Sequence, residues 1–243
     1  MNKTVLITGV GKRIGYALAK HFLARGDYVI GTYRSHYDSI EQLRKLGATL
    51  VQCDLTDTAS IAHLIEQVQV NASTRLDCII HNASDWLPDN SGLSASETIN
   101  RMMQVHVNAP YEINLALADL LTATAQLNHE SIGASNIIHI TDYVAEKGSK
   151  KHIAYAASKA ALHNLTLSFA AKLAPHVKVN SIAPAMILFN DSDDDAYKVK
   201  ALAKAVLPKE AGNSEIIALV EYLQSSHYVT GRSYAVDGGR HLV

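Results

Sequence analysis

Cysteine, tryptophan, proline and net charge are all scarce in this chain. Its 243 residues include 2 Cys, 1 Trp, 5 Pro and 3 Phe, and 22 Lys+Arg stand against 23 Asp+Glu. Two cysteines, Cys53 and Cys78, each inside an apolar stretch, are too few for a disulfide framework and lack metal-ligand spacing. They read as reduced core residues of a cytoplasmic protein. A formal net charge of −1 gives no electrostatic case for nucleic acid or an anionic membrane surface. No apolar run approaches the ~20 residues that cross a bilayer, and the opening MNKTVLITG enters a strand too soon to read as a secretory leader. Linkers, repeats and low-complexity segments are missing as well. The 48% of hydrophobic residues therefore belong to one expected domain, 1–243.

What is present is alternation. Short apolar runs (Val5–Thr8, Tyr28–Thr32, Thr49–Cys53, Cys78–Ile80, Asn136–Ile140, Val177–Ile182, Ser233–Val236) are separated by stretches of helical period. Strand–helix alternation with apolar strands predicts an α/β fold, a doubly wound parallel sheet of about seven strands with helices on both faces. A long helix over Ser96–Leu121 is expected to kink or break at Pro110. After Pro184 the pattern loosens. The segment 186–206 holds the acidic run Asp191–Asp195 ahead of a helical stretch, Ala196–Val206, and falls where a lid over the strand ends belongs. Carboxylates there are expected to cap a helix, since a helix N-terminus favours negative charge.

Tyr155 and Lys159 lie four residues apart, on one face of the predicted helix after the fifth strand. An ammonium beside a phenol favours the phenolate, so Lys159 is expected to lower the Tyr155 pKa. Asp142, at the end of the preceding strand, is placed to face the same pocket. Tyr16–Lys20 and Tyr143–Lys147 repeat the spacing. The first reads as a helix-surface pair, and the second lies in a predicted loop with no helix to hold it. The twelve histidines, among them His81, His106, His139 and His152, show no metal-ligand spacing and read as structural.

Between the first strand and the first helix runs Thr8-Gly-Val-Gly-Lys-Arg-Ile-Gly15. Glycines there let the backbone approach a pyrophosphate, and the helix N-terminus supplies free N–H groups. The second strand ends in Thr32-Tyr-Arg-Ser35, with no carboxylate before Asp38. Arg34, with Ser35 and Lys12, suits a ribose 2′-phosphate, which favours NADP(H) over NAD(H).

Taken together, these residues resemble the short-chain dehydrogenase/reductase family over the whole chain, and that family has a Rossmann fold. The resemblance rests on Gly9 to Gly15, Asp54, His81-Asn-Ala-Ser84, Asn108 in His106-Val-Asn-Ala, Tyr155 with Lys159, Pro184-Ala185 and Asp237-Gly-Gly239. It implies cofactor contacts from Gly9, Lys12, Arg13, Ile14, Gly15, Arg34, Ser35, Asp54, Leu55, Asn82, Ala83, Ser84, Tyr155, Lys159, Pro184 and Ile187. The implied catalytic set is Tyr155, Lys159, Asp142 and Asn108, with no metal. Three positions depart from the family pattern: Arg13 and Ser84 replace glycines, and Asp142 replaces the catalytic serine. All three resemble the pteridine reductase branch, which implies a pterin held by Arg13, Ser84, Asp142, Tyr155 and a ring stacked on Trp86.

Within that branch, HNASDW, HVNAPY, TDYVAEKGSKKHIAYAASKAAL, KVNSIAPAMILFN and VTGRSYAVDGGRHL are similar to bacterial enzymes that reduce 7,8-dihydromonapterin. The implied reaction is its NADPH-dependent reduction to the tetrahydro form, with weaker dihydrofolate reduction, in a homotetramer. The alternatives are a ketoacyl or sugar carbonyl reductase of the same fold and a non-catalytic NADP-binding sensor. Asp142 and Trp86 speak against the first, and the intact Tyr155–Lys159 pair against the second.

Overall fold

The computed structural model describes residues 2–128, 130–190 and 192–243. In chain order its elements are β1 (Thr4–Ile7), α1 (Arg13–Ala24), β2 (Tyr28–Tyr33), α2 (Asp38–Lys45), β3 (Thr49–Gln52), α3 (Thr58–Ala72) and β4 (Cys78–His81). Next come α4 (Ala95–Met103), a π-turn (Gln104–Asn108), α5 (Ala109–Gln126), β5 (Ser135–Ile140), α6 (Val144–Lys147) and α7 (Ile153–Leu173). The chain closes with β6 (Val177–Pro184), α8 (Asp195–Leu202), α9 (Asn213–Ser225), β7 (Ser233–Val236) and a 3₁₀ turn (Arg240–Leu242).

The strands form one parallel sheet in the order β3-β2-β1-β4-β5-β6-β7. Strand order reverses between β1 and β4, and in open α/β sheets a ligand crevice lies at such a switch point, beyond the carboxyl ends of the strands. Side chains alternate faces along each strand. Leu6, Ile30, Ile79, Ile137 and Val179 pack on one face with Ile61, Leu117 and Phe169 from α3, α5 and α7. Val5, Ile7, Val29, Ile80 and Ile138 pack on the other with Leu18, Phe22, Leu43 and Val220 from α1, α2 and α9. Cys53 and Cys78 are free and buried on opposite sides of the sheet. Burial raises the Cys78 thiol to about 11, so it packs as an inert small hydrophobe.

Two local expectations need correction. The long helix is interrupted where expected, but by five residues of π-helix placed immediately before α5, with Pro110 in the first turn of α5. Proline has no N–H for the i→i−4 ladder, and the wider π-turn absorbs the mismatch while rotating the residues ahead of it. Tyr143–Lys147 lies on the short helix α6 rather than in an irregular loop, because Asp142 caps that turn by accepting from Val144 N–H at 3.0 Å. Lys147 turns away to donate to the Val243 carbonyl, so this second motif builds no site. Asp194 caps α8 by accepting from Tyr197 N–H at 2.7 Å, as expected of the acidic run. Asp191 lies outside the described residues.

Candidate active site

The glycine turn opens the site. Gly9 has φ +75°, and a Cβ there would meet Ala83 Cα at 2.8 Å. Gly15 is tighter still: a Cβ would lie 2.1 Å from the Gly9 carbonyl oxygen and 2.5 Å from Asn82 Nδ2. Asn82 donates to the Thr8 and Gly9 carbonyls (3.1 and 3.0 Å), while Thr8 Oγ1 accepts from Asn82 and Ala83 N–H. The β4 turn thus clamps the first turn at the switch point, and Asn82 works as a brace. Gly15→Ala is expected to cost about 3 kcal/mol or more, since backbone atoms cannot yield to the methyl group; a melting curve with and without NADPH checks it.

A cavity of about 490 Å³ lies beside these turns, lined by Gly9, Lys12, Arg13, Ile14, Arg34, Ser35, Asp54, Leu55, Asn82, Ala83, Ser84 and Trp86 among others. Of the residues expected at the cofactor, Gly15 supports the cavity from behind. Ile187 is buried in the core and Pro184 ends β6. Sequence reasoning missed Thr32, whose hydroxyl accepts from Gly9 N–H at 3.1 Å, and Tyr37, against which Gly11 packs and over which Lys12 sits at 5.4 Å. Arg34 is held only loosely, 3.4 Å from Asp85, a carboxylate already bonded by Arg101 at 2.6 Å. It can turn toward a phosphate at little cost. Burial pushes Asp54 up, but Thr56 N–H and hydroxyl donors at 2.9 and 2.8 Å outweigh this and hold it below the usual carboxylate range.

Arg13 has φ +54°, a conformation that favours glycine and costs a side-chain-bearing residue about 1 kcal/mol. Its guanidinium donates to Asn190 Oδ1 at 2.6 Å and the Leu188 carbonyl at 2.7 Å. The first turn is thereby tied to the segment after β6. Trp86 is 61% exposed, and one face of its ring stacks on His152, with centroids 4.1 Å apart and planes 30° apart. The other face is available to a flat ligand.

Beyond Ser84 stands the acid–base group. Tyr155, in the first turn of α7, donates its hydroxyl proton to Asp142 Oδ2 at 2.8 Å. Lys159 is fully buried and donates to the Ile140 carbonyl at 3.0 Å, with Nζ 5.7 Å from the Tyr155 ring centre. Burial lowers it to about 8, against the opposing pull of Asp142. Burial raises Asp142, although hydrogen bonds from Val144 and Tyr155 and the charges of Lys159 and Arg240 pull it back.

The expected lowering of the Tyr155 pKa is not found. Burial first, and then the charge and hydrogen bond of Asp142, push the phenol well above 10; the nearby Ser84 hydroxyl opposes them only weakly. A neighbouring carboxylate repels the phenolate and adds to the effect of burial. Asn108 is a second correction. It is exposed, and its amide donates to Gln104 Oε1 at 2.9 Å. The π-turn instead aims His106 inward, edge-on to the Tyr155 ring at 5.5 Å. No local signal in the sequence separates the two residues.

A family model described as Enoyl-(Acyl carrier protein) reductase matches residues 9–241. The chain belongs to the short-chain dehydrogenase/reductase family. Among curated members of this family, a dihydromonapterin reductase from Klebsiella pneumoniae is 53% identical over 99% of this chain and 97% of its own. One from Escherichia coli O1:K1 is 50% identical over 98% and 96%. Among solved structures, FolM alternative dihydrofolate reductase 1 from Brucella canis, complexed with NADP, superposes with a TM-score of 0.83 at 26% identity. The match covers 100% of this chain and 95% of that one.

Proposed function

We propose that this chain is an NADPH-dependent reductase of 7,8-dihydromonapterin, yielding the tetrahydro form, with weaker activity on dihydrofolate. The single observation that carries the reading is Asp142 hydrogen-bonded to Tyr155, on the helix whose N-cap, His152, packs against Trp86. Relatives named dihydromonapterin reductase at 50–53% identity support the substrate, and the Brucella complex with NADP supports the cofactor. The cradle fits that cofactor: a glycine turn too tight for any Cβ, and Arg34, Ser35 and Lys12 with no carboxylate at the end of β2. Bound NADPH supplies a hydride.

The protein's own task is to hold the pterin ring and deliver a proton to N5 as C6 is reduced. When Asp142 takes up a proton, its hydrogen bond with Tyr155 reverses. Asp142 then donates to Tyr155 Oη, and the phenol hydrogen is freed to point at N5. Tyr155 passes its proton on and is refilled from Asp142, so the phenolate that this site disfavours never forms. Lys159 fixes the end of β5 through the Ile140 carbonyl and keeps a positive charge beneath the pair. Arg13 and Ser84 face the ligand from the two turns, and the segment 186–206, tied to Arg13, closes as a lid.

The protein is further read as a cytoplasmic homotetramer. Among the described residues no helix is long and apolar enough to cross a membrane. Tyr111 and Leu115 on α5 and Leu167 on α7 expose apolar surface that supports an interface.

Trp86 is the only tryptophan, so intrinsic fluorescence reports the stacking directly. Saturating dihydropterin in the presence of NADP is expected to quench at least half of it, and a ketone substrate to leave it unchanged. Unchanged fluorescence with the dihydropterin would remove Trp86 from the site.

A further inference from the structure

His106 is only 1% exposed and takes part in no step of the reaction proposed above, yet it touches both halves of the site. Its Nε2 lies 3.2 Å from Asp85 N and 2.9 Å from Ser84 Oγ, and its Nδ1 lies 2.8 Å from Ser158 Oγ. Ser158 in turn donates to the Tyr155 carbonyl at 2.7 Å. These contacts fix the tautomer. A backbone N–H can only donate, so the Asp85 contact makes Nε2 an acceptor, and the proton of the neutral ring is on Nδ1. Nδ1–H donates to Ser158, whose own proton is committed to Tyr155. The only hydrogen left for the Ser84 contact is the serine's, so Ser84 donates to Nε2 at 2.9 Å in preference to the Asp85 carbonyl, which lies farther off at 3.3 Å. Burial and the charge of Lys159 hold the ring neutral.

We infer that His106 is a positioning residue that locks the Ser84–Asp85–Trp86 turn to the helix of Tyr155 and presents Ser84 Oγ to the ligand as a hydrogen-bond acceptor. The inference rests on the dihydropterin reading for the identity of the ligand. With its proton spent on His106, Ser84 offers lone pairs, which suit the amino and ring N–H donors of a pterin and reject a carbonyl oxygen. His106 does not relay the reaction's proton. The chain beyond Nδ1–H ends on a backbone carbonyl, which has nowhere to pass a proton.

The two ring nitrogens can be replaced separately. A glutamine oxygen reaches roughly where Nε2 stands and can accept from Asp85 and Ser84. An asparagine amide reaches roughly where Nδ1 stands and serves only Ser158. His106→Gln is expected to keep kcat/KM for 7,8-dihydromonapterin within about 5-fold, and His106→Asn to lose about 30-fold or more, chiefly in KM. NADPH affinity is expected to be shared by both variants. Equal losses in the two, or a ranking that follows their melting temperatures, would overturn the assignment. Nitrogen-15 NMR of the unsubstituted protein tests it without any variant or substrate. A His106 ring protonated on Nδ1 at pH 7 is expected, and one protonated on Nε2 would overturn it. The spectrum does not depend on turnover, so failure of the dihydropterin assay alone would count against the reading above and leave the tautomer standing.

Discussion

Asp142→Asn is expected to lower kcat for dihydropterin reduction by about 10²–10⁴-fold, the usual worth of a positioned acid. Tyr155→Phe should match it. The double substitution should add little, because residues that act as one unit are not additive. The physical basis is the 2.8 Å hydrogen bond between the two groups and the direction of both pKa shifts. Burial lifts Asp142, and burial with Asp142 lifts Tyr155 well above 10. A phenol made so weak an acid cannot lose its proton outright near neutrality, so it must be refilled as it gives one up. Asp142 is the group that can do this, and only when protonated. The rate should therefore fall as pH rises through the elevated Asp142 pKa, and this limb should vanish in Asp142→Asn. Steady-state kinetics of the three variants between pH 5 and 9 check both points. Multiplicative losses in the double variant would mean two independent groups and would break the relay.

Acidification from pH 6.5 to 4.5 should destabilise the fold by about 2–3 kcal/mol through His81 alone. Three buried histidines act in this direction. His81 is lowered by burial to about 4, and His106 and His139 are lowered well below 6.5, also chiefly by burial. Below pH 6.5 the unfolded chain binds protons that the folded chain refuses, so stability is lost as pH falls until the folded pKa is reached. The geometry shows why a second proton is refused. Asn114 Oδ1 accepts from His81 Nε2–H at 2.8 Å, and the same amide donates to His139 Nε2 at 3.2 Å. His139 Nδ1 already donates to Thr166 Oγ1 at 2.8 Å, so a proton on Nε2 would face the Asn114 amide N–H. Asp142 works the other way, since the fold holds its proton more tightly. The lowered carboxylates Asp54 and Asp237 lose their contribution only below about pH 4. Urea unfolding at pH 7 and pH 5 reads the net effect, and His81→Gln should reduce the difference. Equal stability at the two pH values would contradict the buried neutral network.

How much of this was legible in the sequence depended on how local the determinant was. The seven strands, the glycine turn and the Tyr155–Lys159 pair announce themselves through period, position and spacing within a few residues, and they stand within a residue or two of where they were expected. The inward face of the π-turn did not announce itself. Asn108 and His106 are two residues apart, and a single non-α turn ahead of Pro110 decides which of them points in. The sign of the Tyr155 shift was missed because the spacing displays Lys159 on the same helix, whereas the burial that dominates and the Asp142 carboxylate that adds to it come from other elements. Arg13 was expected at the ligand, and its tie to Leu188 and Asn190 spans more than 170 residues. The His81–Asn114–His139 network joins β4, α5 and β5 and leaves no pattern in any one of them.

The most direct test of the reductase reading is the loss of NADPH absorbance when purified protein meets 7,8-dihydromonapterin, with 7,8-dihydrofolate, a ketoacyl thioester and NADH as comparisons. Rapid oxidation is expected with NADPH and the monapterin, slower oxidation with dihydrofolate or NADH, and none with the thioester. Tight NADPH binding without turnover of either pterin, or turnover of the thioester instead, would contradict that reading.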